Sequence, residues 1–222
     1  MKNNNNSDEI KEINNDWKDK LEEYSGINIE EKNSYKPEGK QSKPLKTYNE
    51  IGYVYILLDT SRSMNFSDKI SQAKRGAISF IEEANNLNYK TGIIKFASHP
   101  REIANFKSDF KSLKTNLYKL EAGGSTNLQS ALILARNRLK KLSGKKVVYI
   151  ITDGRPDYKE GSKSEANILK EQGVHIMTLG TKDADSEFLK EISSDDALSE
   201  ITNDVELEEN ISKMSSNLPE DI

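Results

Sequence analysis

Residues 53–64 read Tyr-Val-Tyr-Ile-Leu-Leu-Asp-Thr-Ser-Arg-Ser-Met, and this stretch sets the fold. Tyr53 to Leu58 is an unbroken apolar run that stops on Asp59 and gives way to a polar turn. Continuous apolar runs of this length belong to strands buried on both faces, the kind found in parallel sheets. Val147 to Thr152 repeats the pattern and also stops on an aspartate, Asp153.

Outward from these two runs, strands and helices alternate. Ile70, Ala73, Ala77, Phe80, Ile81 and Ala84 share one helical face after the first strand. Gly92 to Ala97 reads as a second strand, and Arg101 to Phe106 as a short third one after the Ser98-His99-Pro100 turn. A charged helix spans Asp109 to Leu120, and another, beyond Gly123-Gly124, is marked by Leu128, Ala131, Leu132, Ala135, Leu139 and Leu142. After Asp153 come a helix from Ser162 to Gln172, the strand Val174 to Leu179, and a short helix carrying Phe188, Leu189 and Ile192. Leu198 to Thr202 is an edge strand, and Leu207, Ile211, Met214 and Leu218 mark a closing helix. Apolar strands between amphipathic helices predict an α/β fold. It is a doubly wound, mostly parallel, Rossmann-like sheet with one short antiparallel edge strand and helices on both faces.

The first fifty residues are different. They hold 11 apolar residues against 9 Lys, 11 Asp or Glu and 9 Asn, so residues 1–50 are expected to be a polar extension ahead of a domain over 51–218, with 219–222 as a tail. Within the extension, Ile10, Ile13, Trp17, Leu21 and Tyr24 fall on one face of a helix over 8–24, and Gly26 to Glu50 reads as a linker. An isolated helix of that length is marginal in water, so docking and a solvated extension both stay open.

Composition narrows the functions. The 222 residues carry 33 basic and 36 acidic side chains, a net charge of −3, which leaves no electrostatic footprint for nucleic acid or an anionic membrane. Without cysteine, disulfides, zinc ribbons and thiol catalysis are excluded. No apolar run approaches the roughly 20 residues of a membrane helix, and nothing at the amino terminus reads as a signal peptide, so the expected location is cytoplasmic. No phosphate loop, Gly-x-Ser-x-Gly elbow or His-Glu-x-x-His helix is present, and neither histidine neighbours a candidate nucleophile. The expectation is a protein that is not an enzyme.

In an open parallel sheet, ligands bind beyond the carboxyl ends of the strands, where strand order reverses. Asp59 and Asp153 are both delivered to such ends. Two carboxylates placed together repel unless a cation or proton lies between them. The turn Asp59-Thr60-Ser61-Arg62-Ser63 can aim two hydroxyls at the same point, and Gly123-Gly124-Ser125-Thr126-Asn127 supplies more. Either aspartate alone reads as a turn or capping residue. Together, carboxylates and hydroxyls without His or Cys form a hard oxygen site for Mg2+ or Mn2+, with Ca2+ a weaker fit.

These positions resemble the metal-ion-dependent adhesion site, or MIDAS, of intracellular microbial von Willebrand factor A domains. The resemblance rests on Asp59-x-Ser61-x-Ser63, Thr126 within Gly-Gly-Ser-Thr-Asn, and Asp153 within Thr-Asp-Gly, and it extends from about Tyr53 to about Leu218. It implies that Ser61, Ser63 and Thr126 hold the ion directly. Asp59 and Asp153 would supply negative charge, one or both through water. It also implies an open coordination position for an Asp or Glu of a partner protein. The expected role is assembly or regulation of an intracellular complex, with an AAA+ ATPase or a stress-operon protein among the partners. Arg62 stands where the family most often has glycine and is read as a specificity determinant. With His99, Asn127, Arg155 and Asp157 it forms an expected partner-contact rim. His175, inside an apolar strand, reads as a packed or hydrogen-bonded histidine. The rival reading is a phosphotransfer or phosphatase-type domain using Asp59 or Asp153, with Thr181-Lys182 in place of a receiver lysine; however, Thr60 and Ser61 stand where those classes need acids.

Overall fold

The computed structural model describes residues 50–219; the expected helix over 8–24 and its linker lie outside the described residues. Six strands form one sheet: β1 (Gly52–Asp59), β2 (Tyr89–Phe96), β3 (Arg101–Ala104), β4 (Lys146–Thr152), β5 (Val174–Thr181) and β6 (Ser199–Thr202). Their order is β3-β2-β1-β4-β5-β6. All pairings are parallel except β2 with β3, so the antiparallel edge is β3 and the other edge, β6, is parallel.

Among the described residues, six α-helices accompany them: α1 (Lys69–Asn86), α2 (Phe110–Tyr118), α3 (Leu128–Leu139), α4 (Lys159–Glu171), α5 (Ser186–Ile192) and, after the last of these strands, α6 (Leu207–Lys213). Residues alternate across a strand, so β1 feeds two cores at once. Val54, Ile56 and Leu58 face one layer with Phe80 of α1, Leu113 and Leu117 of α2, and Ile211 of α6. Tyr55 and Leu57 face the other, with Leu132 of α3, Leu169 of α4 and Phe188 of α5. A strand covered on both sides has no polar face, which is why these runs lack alternation.

Several bounds differ from the sequence expectation. β2 starts at Tyr89, because Tyr89, Lys90 and Thr91 pair in register with Gly52, Tyr53 and Val54. α4 starts three residues early, at Lys159. His175 is exposed rather than packed, being the second residue of β5 at the sheet's outer end. The closing helix is α6 followed by a 3-10 turn, Met214–Asn217, and Leu207, Ile211, Met214 and Leu218 are all buried as its spacing predicts.

β1 and β4 are adjacent, with Leu58 level with Ile151, so both strands end side by side. Chain order reverses here, since β1 continues to β2 on one side and meets β4 on the other. At the opposite end of the sheet, Gly144, with φ of 101°, lies directly against the Ile51 carbonyl. Next to it, Lys145 Nζ donates to the Pro219 carbonyl at 3.2 Å, and Tyr89 Oη donates to the same oxygen at 2.7 Å.

Candidate metal centre

Asp59 closes β1 with no exposed surface. Its Oδ1 accepts from the Ser61 amide at 2.7 Å, turning the chain sharply out of the strand. Its Oδ2 accepts from Thr152 Oγ1 at 2.5 Å, which ties the end of β1 to the end of β4. Thr60 anchors the turn from behind, its amide and hydroxyl both donating to the Phe96 carbonyl at 2.7 and 3.0 Å.

The Gly123–Asn127 loop is stitched to this turn through backbone groups. The Gly123 amide donates to the Thr60 carbonyl at 2.7 Å, the Arg62 amide to the Gly124 carbonyl at 3.2 Å, and the Asn127 amide to the Ala97 carbonyl at 2.9 Å. Gly124 has φ of 91°, and a Cβ there would meet Ser98 Oγ at 2.7 Å, so glycine alone suits the position.

Three of the five expected donors are joined side chain to side chain, and Asp59 meets them through the Ser61 amide. Ser61 Oγ and Ser63 Oγ are 3.1 Å apart, and Ser63 Oγ donates to Asp153 Oδ1 at 2.7 Å. Thr126 arrives from the opposite wall. A Cβ on Gly154 would lie 3.4 Å from Thr126 Oγ1 and 3.9 Å from Asp59 Oδ2, so these two oxygens border one space beside Gly154. The Thr126 carbonyl also accepts from the Asp157 amide at 3.0 Å, joining its loop to the segment after β4.

Burial is the main force that pushes Asp59 up to about 6; hydrogen bonds from Thr152 and Ser61 work against it, and neighbouring Asp153 adds a smaller upward push. Two buried carboxylates and three hydroxyls suit a hard divalent cation. Among the described residues, no group of three or more His, Cys, Asp or Glu is arranged to hold a metal, so the serine and threonine hydroxyls are essential to this donor set.

Ser63 lies within a 3-10 stretch, Arg62–Asp68, and α1 begins only at Lys69, so no α-helix amino terminus sits at Ser63. Ser67 and Asp68 take left-handed φ values of 54° and 57°, a turn that delays the helix. By contrast, α3 does start beside Thr126. Asn127 is its cap, accepting from the Ser130 amide at 3.1 Å, so this rim residue holds a helix end in place. Arg62, His99, Arg155 and Asp157 are exposed on the connecting loops. Phe66 and Tyr158, 65% and 61% exposed, put aromatic rings on the loops that follow β1 and β4; Phe66 had no sequence signal beyond its place after the Ser63 motif.

Lys69 was not anticipated. It is buried, and its Nζ donates to Asp153 Oδ2 at 3.0 Å and Asp183 Oδ2 at 3.1 Å. Its only sequence signal was a cation one turn beyond the Asp-x-Ser-x-Ser motif.

Comparison with known proteins agrees with this fold. The von Willebrand factor type A domain family matches residues 54–216, and the chain belongs to that family. Among curated proteins it is similar to the thrombospondin-related anonymous protein of Plasmodium falciparum, 29% identical over 146 residues. That match covers 57% of this chain and 25% of the relative. The counterpart from Plasmodium berghei (strain Anka) is 28% identical, over 60% of this chain and 24% of its own length. The chain thus spans about a quarter of the curated relatives it matches.

Among solved structures, the vWF domain of the type V pili tip protein Mfa5 from Porphyromonas gingivalis superposes with a TM-score of 0.69 at 12% identity, covering 79% of this chain and 99% of that one. Proximal thread matrix protein 1 from the mussel byssus, with a zinc-occupied MIDAS motif, gives 0.67 at 18%, covering 76% of this chain and 46% of that one. Domains of this family mediate protein–protein and adhesive interactions, and those with a MIDAS bind divalent metal.

Proposed function

We propose that this chain is a metal-dependent protein-binding module with a complete MIDAS. Asp59, Ser61, Ser63, Thr126 and Asp153 hold one divalent cation, Mg2+ or Mn2+ in preference to Ca2+. The observation that carries the reading is the chain of contacts from Ser61 Oγ through Ser63 Oγ to Asp153 Oδ1, closed across the strands by Thr152 on Asp59. When bound, the ion supplies a Lewis-acidic position for a carboxylate of the partner. The chain's own residues do the remainder: Thr60 and the Gly123–Asn127 loop fix the hydroxyls, while Arg62, His99, Arg155 and Asp157 offer polar contacts around the opening. The related byssus protein, solved with zinc at its MIDAS motif, supports the choice of site.

Asp59 makes a poor phosphoryl acceptor, because both of its oxygens are engaged and its side chain is enclosed. Lys182, the residue read as a receiver-like lysine, is exposed. An acyl phosphate donor is expected to leave the protein unlabelled; stoichiometric phosphoaspartate would replace the binding-module reading.

The proposed setting is cytoplasmic and microbial, in the assembly or regulation of a complex, with an AAA+ ATPase or a stress-operon protein as partner. The deciding experiment is a pulldown from native lysate in Mg2+ and in EDTA, with wild type and Asp59→Ala. A partner retained only by wild type in Mg2+ supports the proposal. Calorimetry that finds no Mg2+ or Mn2+ binding to the wild type overturns it.

A further inference from the structure

Lys69 opens α1, and its side chain is 3% exposed. Besides Asp153 and Asp183, its Nζ lies 3.8 Å from Asp204 Oδ2. The three acids come from three connections: the end of β4, the turn after β5, and the 3-10 turn before α6. Burial opposes the ammonium charge, but the bonds from Asp153 and Asp183 outweigh it and hold Lys69 above its usual value.

Asp153 is divided by this contact. Oδ2 faces the lysine, and Oδ1 faces Ser63. A carboxylate gripped on one oxygen by an ammonium group has the other left for whatever lies on the serine side. The buried charges are two carboxylates, Asp59 and Asp153, and one ammonium, which leaves one net negative charge. Asp183 adds little to that local sum, because it is 74% exposed and screened by solvent. A divalent ion beside two uncompensated carboxylates would be neutralised, whereas beside this set it keeps one positive charge.

We propose that Lys69 is a positioning residue of the metal centre: it confines Asp153 to its Oδ1 oxygen and places a fixed cation inside the site. Ion affinity is thereby held down, and a bound ion keeps its attraction for an incoming carboxylate. This inference rests on the metal-binding reading above.

The test is a Mn2+ titration, followed by electron paramagnetic resonance, of wild type, Lys69→Met and Asp183→Ala. Methionine keeps the length of the side chain and removes the charge. Lys69→Met is expected to bind Mn2+ about tenfold more tightly. Its bound Mn2+ is expected to need more acetate, used as the carboxylate probe, for the same spectral change; a purely structural lysine would not move this readout. Asp183→Ala changes an exposed side chain and leaves Lys69 to Asp153, so Mn2+ binding should weaken about threefold and stay weakened in about 0.5 M salt. Lys69→Met with a native circular dichroism spectrum and an affinity equal to or below wild type overturns the proposal. If Lys69→Met does not fold, Asp183→Ala decides, and an unchanged affinity overturns it. Absence of Mn2+ binding by the wild type is a different result, and defeats the metal reading itself.

Discussion

Asp59 accepts one hydrogen bond on each oxygen, from the Ser61 amide and the Thr152 hydroxyl, and is closed off from water. Those bonds favour the carboxylate, yet burial outweighs them and pushes Asp59 up to about 6. A carboxyl raised on folding stabilises the metal-free protein fully below its unfolded value, near 4, and that contribution is lost as pH rises through about 6. In EDTA, thermal unfolding should therefore show stability falling between pH 5 and about 8 by on the order of 1 kcal/mol, the tail of a larger loss that starts near pH 4. Asp59→Asn should flatten that slope and abolish Mg2+ binding, and Mg2+ should restore the wild type at high pH. An Asp59→Asn profile that still falls with pH would assign the slope to another group. At this scale, the grouping of Asp59, Ser61, Ser63 and Asp153 was legible in the sequence, because strand ends and a short turn fix their directions locally. Lys69 was not: what buries it are Asp153, 84 positions away, and Asp183, 114 positions away. His175 misled for a related reason: β5 is covered on one face only at its start, where Val174 is buried and His175, on the other face, is exposed.

Helix α1 meets α6 through a flat spot at Gly76. A Cβ there would lie 2.6 Å from the Glu208 carbonyl oxygen and 2.7 Å from Ile211 Cβ. Gly76→Ala must push the closing helix outward, a change expected to cost about 1–3 kcal/mol in urea unfolding. Alanine is the better helix former, so a gain in stability would show that α6 is free to shift. Existence and type of the elements followed from periodicity throughout the described residues, while their ends did not. β2 gains Tyr89 to Thr91 by pairing with β1, a tertiary effect that a polar start conceals. α1 starts at Lys69, in keeping with the face read from Ile70 onward, but between Ser63 and that start a left-handed turn at Ser67 and Asp68 delays the helix, and no residue preference announces it. That delay matters for function, because it puts Lys69, instead of a row of backbone amides, beside the second aspartate.

The five candidate donors come from three segments that meet only when the sheet is assembled, around the point where β1 and β4 lie side by side. Each face of the sheet is sealed by its own three helices, so the site's edges are fixed by both cores while its floor is made of strand ends. Within the described residues, β1 begins and the chain reaches Pro219 at the other end of that sheet, with Ile51 and Pro219 both resting against Gly144–Lys145. Joining these two points by a short linker and opening the chain at the exposed Lys107 should give a circular permutant that still folds. Its melting temperature should fall by no more than about 10 °C and should still rise with Mg2+. A permutant that collapses would mean that the route of the chain, and not just its contacts, holds the sheet together. With both ends anchored together, residues 51–219 are expected to behave as a cassette that could be spliced into an unrelated polypeptide by one seam, the candidate metal centre lying at the far end of the sheet from the join.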